Sequence, residues 1–243
     1  MGLFRRRKEA EAAKRPYTAA VIAAAGSSRR MQGEDKIMAL LGGSPVIARS
    51  VMQFELSGAI DEIVIVTREE LVAPVGSLCR DCGFKKVREI VRGGATRAES
   101  VYRGLMHISR EAELAAIHDG ARPLVTEDII ARAVELAAKT GAAIPAVPVK
   151  DTLKRAQSGI ITETPPRDEL FAAQTPQVFS AELIKAALAK AVEDGAEITD
   201  DSSAVERLGM SVSLSEGSYE NNKITTPGDL LLGAAILEGR DWA

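Results

Sequence analysis

From Ala20 to Lys36 the chain reads "AVIAAAGSSRRMQGEDK", a run of small and apolar residues followed by three cations. Small side chains at Ala23, Ala24, Ala25, Gly26 and Ser27 let backbone N–H groups close on an anion. Arg29, Arg30 and Lys36 follow within a ten-residue reach of Gly26. An arginine fork holds two phosphate oxygens and a lysine supplies a point charge. Such an array suits a triphosphate, whose charges are spread along a chain. The same residues also fit a surface loop with solvated cations. The stretch is neither a G-x-G-x-x-G dinucleotide fingerprint nor a G-x-x-x-x-G-K-[ST] phosphate loop.

Two further loops carry chemistry. "VRGGATRAESV" offers Gly93, Gly94, Thr96 and Ser100 at a helix start, where backbone and hydroxyl groups can read a base edge or form a plain strand-to-helix turn. "IHDGARPLV" leaves Asp119 at the end of an apolar strand. A carboxylate beside a phosphate site is a usual anchor for Mg²⁺; the alternative is an Asp satisfied by turn amides. His118 is a lone histidine and is expected to be structural.

The elements that must position these loops alternate. Short apolar runs at Thr18–Ala24, Asp61–Thr67, Lys85–Val91, Leu114–Gly120 and Gly141–Val149 predict strands. Helices are expected from Ser44 and Pro45, as cap and first position, to about Leu56; from Glu69 to Cys82 with an interruption near Pro74; after "GGATR"; and from a Thr126 cap onward. This order predicts an α/β fold with a mostly parallel sheet covered on both faces. Ligands bind such sheets at the carboxyl ends of the strands, where all three loops fall. The rhythm breaks at "KDTLKRAQSGIITETPPRDEL" (Lys150–Leu170), two arms around a Ser158-Gly159 turn with too few apolar residues for a core of their own. A projecting β-arm over 149–170 is expected, packed on something else. Helices resume from Ala181, around Asp201 and after Thr226.

Composition narrows the function classes. The chain has 243 residues, 46% hydrophobic and 27% charged, with a net charge of −3. It lacks the broad basic excess of a dedicated nucleic-acid binder. No apolar run approaches the roughly 18 residues that span a membrane, so no membrane insertion is expected. Residues 1–16 are expected to be a flexible basic tail without a secretory h-region, and 17–243 a single domain. Cys79 and Cys82, in "CRDC", have no second Cys/His pair to complete a zinc site and lie at a helix end; they are expected to be reduced thiols of a cytoplasmic protein.

Taken in order, "AAAGSSRRM" with Lys36, "GGATRAESV", "HDGARP", "KDTLKRA", "AAQTPQVF", "EITDDSSAVE" and "NKITTPGDL" resemble the 2-C-methyl-D-erythritol 4-phosphate cytidylyltransferases over nearly everything from Tyr17 onward. Enzymes that activate ribitol 5-phosphate with CTP share many of these motifs. The resemblance implies a Rossmann-like nucleotidyltransferase domain with a dimerising β-arm. It implies Mg²⁺-dependent transfer of a cytidylyl group from CTP to a sugar-alcohol phosphate in non-mevalonate isoprenoid synthesis. By motif, Arg30 and Lys36 stabilise the transition state, and Ala24, Ala25 and Gly26 form the triphosphate loop. Gly94 and Ser100 contact cytosine, Asp119 holds the metal and Arg122 follows it in the same substrate-binding motif. Thr152, Arg167, Thr175 and Lys223 hold the second substrate, with Arg167 reaching the neighbouring subunit's site in a homodimer. Two departures stand out: Ala95 replaces a common acidic residue, and the segment from Arg30 to Lys36 is one residue shorter than in some relatives and lacks a proline before the lysine.

The implied chemistry follows from charge. An acceptor phosphate is already a nucleophile at neutral pH, so catalysis is positioning plus neutralisation rather than strong general base. The acceptor is methylerythritol phosphate or, as the alternative, ribitol 5-phosphate or a similar pentitol phosphate. A nicotinamide-dependent oxidoreductase would suit the sheet but lacks the glycine fingerprint. A non-catalytic nucleotide sensor would not need the full set of cations.

Overall fold

The computed structural model describes residues 15–26 and 35–241. Most of the expected basic tail, together with Ser27, Ser28, Arg29 and Arg30, lies outside these residues. In chain order the strands are β1 (Thr18–Ala24), β2 (Leu40–Leu41), β3 (Ser44–Pro45), β4 (Glu62–Thr67), β5 (Val87–Arg92), β6 (Leu114–Asp119), β7 (Ala142–Pro148), β8 (Arg155–Gln157), β9 (Ile160–Glu163), β10 (Phe171–Ala173), β11 (Gln177–Ser180) and β12 (Ser213–Glu216). The helices are α1 (Val46–Leu56), α2 (Glu69–Asp81), α3 (Arg97–Leu105), α4 (Glu127–Thr140), α5 (Ala181–Glu193), α6 (Asp201–Arg207) and α7 (Pro227–Asp241).

Strands β1, β4 and β6 are apolar on both faces because both faces are covered. Along β1, Ala19 and Val21 enter one core while Ala20, Ile22 and Ala24 enter the other. The first core is closed by α3, α5 and α6 through Val101, Leu105, Ile184, Leu188 and Val205; the second by α1, α2 and α4 through Val51, Phe54, Val75, Ile130 and Val134. Each such side chain, taken wholly out of water, is worth about 1.5–3 kcal/mol. The sheet runs β10-β7-β11-β6-β1-β4-β5, with β12 also paired to β7. β1 lies parallel between β4 and β6, while β10 and β11 run antiparallel to β7. Gly104 lets α3 settle against this sheet: a Cβ there would stand 2.6 Å from side-chain carbons of both Val21 and Val66.

Three local expectations are corrected. Pro74 does not interrupt α2, which runs on to Asp81; Pro74 is exposed, so the carbonyl that loses a partner stays in reach of water. Ser44 and Pro45 pair with Leu41 and Leu40 in a two-residue ladder, and the helix begins at Val46 without a side-chain cap. Thr126 occupies the N-cap position of α4, but its side chain makes no capping bond. The cysteines are free, Cys79 buried and Cys82 exposed. Burial pushes the Cys79 thiol up to about 11.

The arm has a different character. β8 and β9 pair only with each other, every residue in both is exposed, and Ser158 and Gly159 turn between them at φ of 50° and 80°. Two successive positive φ values give the primed turn that matches strand twist. Leu153, Ile160, Ile161 and Phe171 stand exposed on or beside the arm. Its base is fastened: the Lys150 ammonium lies 3.6 Å from the Tyr219 ring centre, and the Tyr219 hydroxyl donates to the Pro148 carbonyl at 2.8 Å.

His118 is structural, as expected. It is fully buried, its ring 4.8 Å from that of Phe54. The Asp119 N–H donates to the Thr175 hydroxyl at 3.1 Å, which donates in turn to His118 Nδ1 at 3.0 Å. Nε2–H is left to donate to the Arg122 carbonyl at 3.2 Å. This chain of bonds needs a neutral imidazole. Burial, opposed by the Asp119 charge, pushes His118 down from 6.5 to about 4. As pH falls from 6.5 toward 4, the unfolded chain takes up a proton that the folded one refuses. Stability contributed by this site is therefore present above 6.5, declines through that window and levels off below it. Urea unfolding at pH 7 and at pH 5 should show a smaller acid loss for His118→Asn than for the wild type; equal losses would remove His118 from the acid response.

Candidate active site

The carboxyl ends of β1, β5 and β6 converge, and backbone bonds tie their loops together. Gly93 N–H donates to the Thr67 carbonyl at 2.8 Å, and Gly120 N–H to the Ala23 carbonyl at 2.9 Å. Between these loops lies a cavity of about 360 Å³. Ala24, Ala25 and Gly26 line one side, Gly94, Arg97 and Ser100 another, and Lys36, Asp119 and Lys223 complete it. Eight of the residues expected for the site therefore share one cavity, as the strand-end rule requires.

Asp119 is the electrostatic centre. Lys223 Nζ stands 2.6 Å from Oδ2, an Arg97 amino group 3.3 Å from Oδ1, and Arg122 Nε 3.9 Å from Oδ2. Burial alone would raise this carboxyl, but Arg97, then Lys223 and Arg122, hold it well below the usual carboxylate range. Arg122 is itself lowered by burial against the pull of Asp119. Its Nη1 donates to the Asn221 carbonyl at 2.7 Å, while its buried Nε lacks a hydrogen-bond partner.

The base of the first loop is held by Arg68. One guanidinium N–H donates to the Gly26 carbonyl at 2.9 Å, Nε donates to Glu70 at 2.7 Å, and the third group pairs with Asp35. The Lys36 ammonium lies over Gly26, 3.5 Å from where a Cβ would be. In the second loop, Ser100 is buried; its hydroxyl accepts the Gly94 N–H at 3.0 Å and donates to the Thr96 carbonyl at 2.8 Å. Thr96 caps α3 by accepting from Glu99 N–H, and Glu99 reaches back to the N–H of Ala95 at 2.9 Å. Gly93 has no room for a side chain, since a Cβ would meet that of Ala25 at 2.5 Å.

The remaining expected residues lie elsewhere. Thr152 and Arg167 are exposed on the arm and do not line the cavity; Arg167 donates to the Lys150 carbonyl at 2.9 Å. Thr175 is buried, with its hydroxyl committed to Asp119 and His118, so it supports the cavity from behind instead of facing a ligand. Arg30 lies outside the described residues. Sequence reasoning missed Arg68, Arg97 and Asp201. The last two stood inside quoted motifs, but nothing local marks them, because they meet across 104 positions of chain at 2.7 and 2.8 Å.

Among the described residues no three of His, Cys, Asp and Glu gather as a metal-ligand set. The donor set nonetheless fits Mg²⁺, which commonly takes one or two carboxylates and completes its shell with water and substrate phosphates. Asp119 is ionised and opens on the cavity. No helix among the described residues is long and apolar enough to cross a membrane.

Comparison with known proteins agrees with this geometry. The family profile described as "IspD: 2-C-methyl-D-erythritol 4-phosphate cytidylyltransferase" matches residues 18–239. The 2-C-methyl-D-erythritol 4-phosphate cytidylyltransferase of Halalkalibacterium halodurans is 47% identical over 222 residues, covering 91% of this chain and 97% of that one. Among solved structures, 4-diphosphocytidyl-2C-methyl-D-erythritol synthase of Anaerococcus prevotii superposes with a TM-score of 0.83 at 30% identity, covering 92% of this chain and 96% of its own. The cytidylyltransferase of Thermus thermophilus does so with a TM-score of 0.75 at 32% identity, covering 90% and 98%. With its strand-end loops, its cation-ringed Asp119 and a match spanning most of its length, the chain belongs to the 2-C-methyl-D-erythritol 4-phosphate cytidylyltransferase family.

Proposed function

We propose that the cavity around Asp119 binds CTP and carries out the family's reaction. The phosphate of 2-C-methyl-D-erythritol 4-phosphate attacks the α-phosphorus of CTP in line, a P–O bond forms to the acceptor, and the bond to the β-phosphate breaks to release pyrophosphate. The observation that carries this reading is the pairing of Arg97 and Lys223 with one ionised carboxylate, in a cavity also lined by Lys36 and the small-residue loop Ala24–Gly26. The relatives described above are named for the methylerythritol compound and none for a pentitol phosphate, so the ribitol alternative gains no support.

The difficulty of the reaction is bringing one anion to another, and these residues answer it with fixed positive charge in a partly dry site. The loop Ala24–Gly26 supplies backbone N–H groups to the triphosphate. Arg30 and Lys36 neutralise charge that moves onto the leaving pyrophosphate. Gly94 and Ser100 shape the pocket for cytosine, with Ala95 leaving that edge to backbone groups. Lys223, its side chain 38% exposed beside Asp119, is the cation within reach of an incoming acceptor phosphate. Asp119 would hold Mg²⁺, which supplies further neutralisation of the triphosphate when bound. Arg122 backs Asp119. Thr152 and Arg167 hold the acceptor from the arm, and the arm's exposed apolar residues pack on a second copy of the chain in a cytoplasmic homodimer. An isolated hairpin is marginal in water, and a two-fold dimer is the commonest way to cover one.

Pyrophosphate release from CTP should be fast with methylerythritol phosphate and slow with ribitol 5-phosphate; turnover of the ribitol compound alone would overturn the acceptor assignment. Asp119→Asn should raise the Mg²⁺ concentration that supports half-maximal rate, and full activity in chelator would end the metal assignment. Lys36→Ala should lower kcat by about 10²–10³, far more than it lowers the urea midpoint. Arg167→Ala should be similarly inactive, and co-expression of the two variants should restore activity, because one site of the mixed dimer inherits neither defect. No recovery in proven mixed dimers would place Arg167 at its own chain's site or at none.

A further inference from the structure

Asp201 opens α6, and its carboxylate is fully buried. Both oxygens are taken by Arg97, Oδ1 by one amino group at 2.8 Å and Oδ2 by the other at 2.7 Å. The same guanidinium directs an N–H at Asp119 Oδ1, 3.3 Å away, and its side chain remains a third exposed at the cavity. The neighbouring Asp200 has a separate task. It caps α6 by accepting from Ser203 N–H at 3.0 Å, and it accepts from the side chain of Gln177, on β11, at 2.7 Å. Asp201 is thereby delivered to Arg97 by an element anchored to the sheet.

We propose that Asp201 is a positioning residue of the nucleotide site, which takes both ends of the Arg97 fork so that Asp119 keeps acceptor capacity for the nucleotide's cation. The proposal rests on the reading of the cavity as a CTP and Mg²⁺ site.

The physical reason is competition between two carboxylates for one planar fork. A guanidinium pairs best with a carboxylate through two parallel N–H bonds. Asp201 and Asp119 both lie within reach, and only Asp201 has the two-bond geometry. With a neutral side chain at 201, Asp119 becomes the remaining carboxylate beside Arg97. The fork then turns onto it and must be displaced before a cation can bind. A buried ion pair adds little net stability over apolar packing, so what the arrangement secures is the direction of Arg97.

The test is CTP binding by calorimetry across a Mg²⁺ titration with the full-length chain and no acceptor. Asp201→Asn should raise the half-saturating Mg²⁺ concentration about 10- to 100-fold, the range for outer partners of metal ligands. In an Arg97→Gln background the same substitution should add nothing further, because its effect passes through Arg97. Arg97→Lys keeps the charge but cannot be held by two parallel bonds to Asp201, so its ammonium settles on Asp119; it should show a comparable rise and decides the matter if Asp201→Asn does not fold. An unchanged Mg²⁺ requirement in Asp201→Asn or Arg97→Lys would overturn the positioning role alone, as would an Asp201→Asn effect of equal size without Arg97. Failure of the wild-type chain to bind CTP at any Mg²⁺ concentration would overturn the nucleotide-site reading and this proposal with it.

Discussion

An ionised carboxylate buried at the end of a central strand is costly unless cations surround it, and much of the architecture around Asp119 follows from that need. Lys223 comes from the segment before α7, Arg97 from the first turn of α3 and Arg122 from the loop after β6. The backbone of Asp119 is held as well, through the Thr175 hydroxyl and the neutral imidazole of His118. Three separate parts of the chain therefore meet at one pair of oxygens. In a low-dielectric pocket, charges fixed before substrate arrives need no reorganisation during the reaction, which is where electrostatic catalysis gains its strength.

The two-sided core makes such fixing possible. β1 is saturated with apolar contacts on both faces, so its carboxyl end is a rigid mount for the small-residue loop. Gly104 lets α3 lie close to that mount, and α3 carries Arg97 and Ser100 at its opening turn. The arm is the opposite case. Its strands bond only to each other and its large apolar side chains face outward, which is the signature of a surface that needs a cover.

The two described ends of the first loop are held by one side chain. Asp35 stands directly before Lys36, and its carboxylate pairs with Arg68. Arg68 also donates to the Gly26 carbonyl, so one side chain from the start of α2 joins both described ends of the loop.

Strands β10, β11 and β12 were not legible, although β11 lies between β6 and β7 and runs antiparallel to both. The sequence alone determined the order of β1, β4, β5, β6 and β7 and of the helices between them, the mostly parallel sheet, the three strand-end loops and the Ser158-Gly159 turn. Each of these is set by interactions among near neighbours: apolar runs bounded by turn residues, and glycine where φ must be positive. Most of the cavity was legible too, because the rule that ligands bind at strand carboxyl ends turns a topology into a location. Tertiary structure alone decided what meets Asp119. The bidentate grip of Asp201 on Arg97, the inward commitment of the Thr175 hydroxyl and the Arg68 clasp join residues far apart in the chain, and each looks locally like an ordinary loop or helix-end residue. The persistence of α2 through Pro74 was hidden for a related reason, since whether a lost backbone bond matters depends on whether that face of the helix meets water or core, and packing settles that after the local pattern is complete.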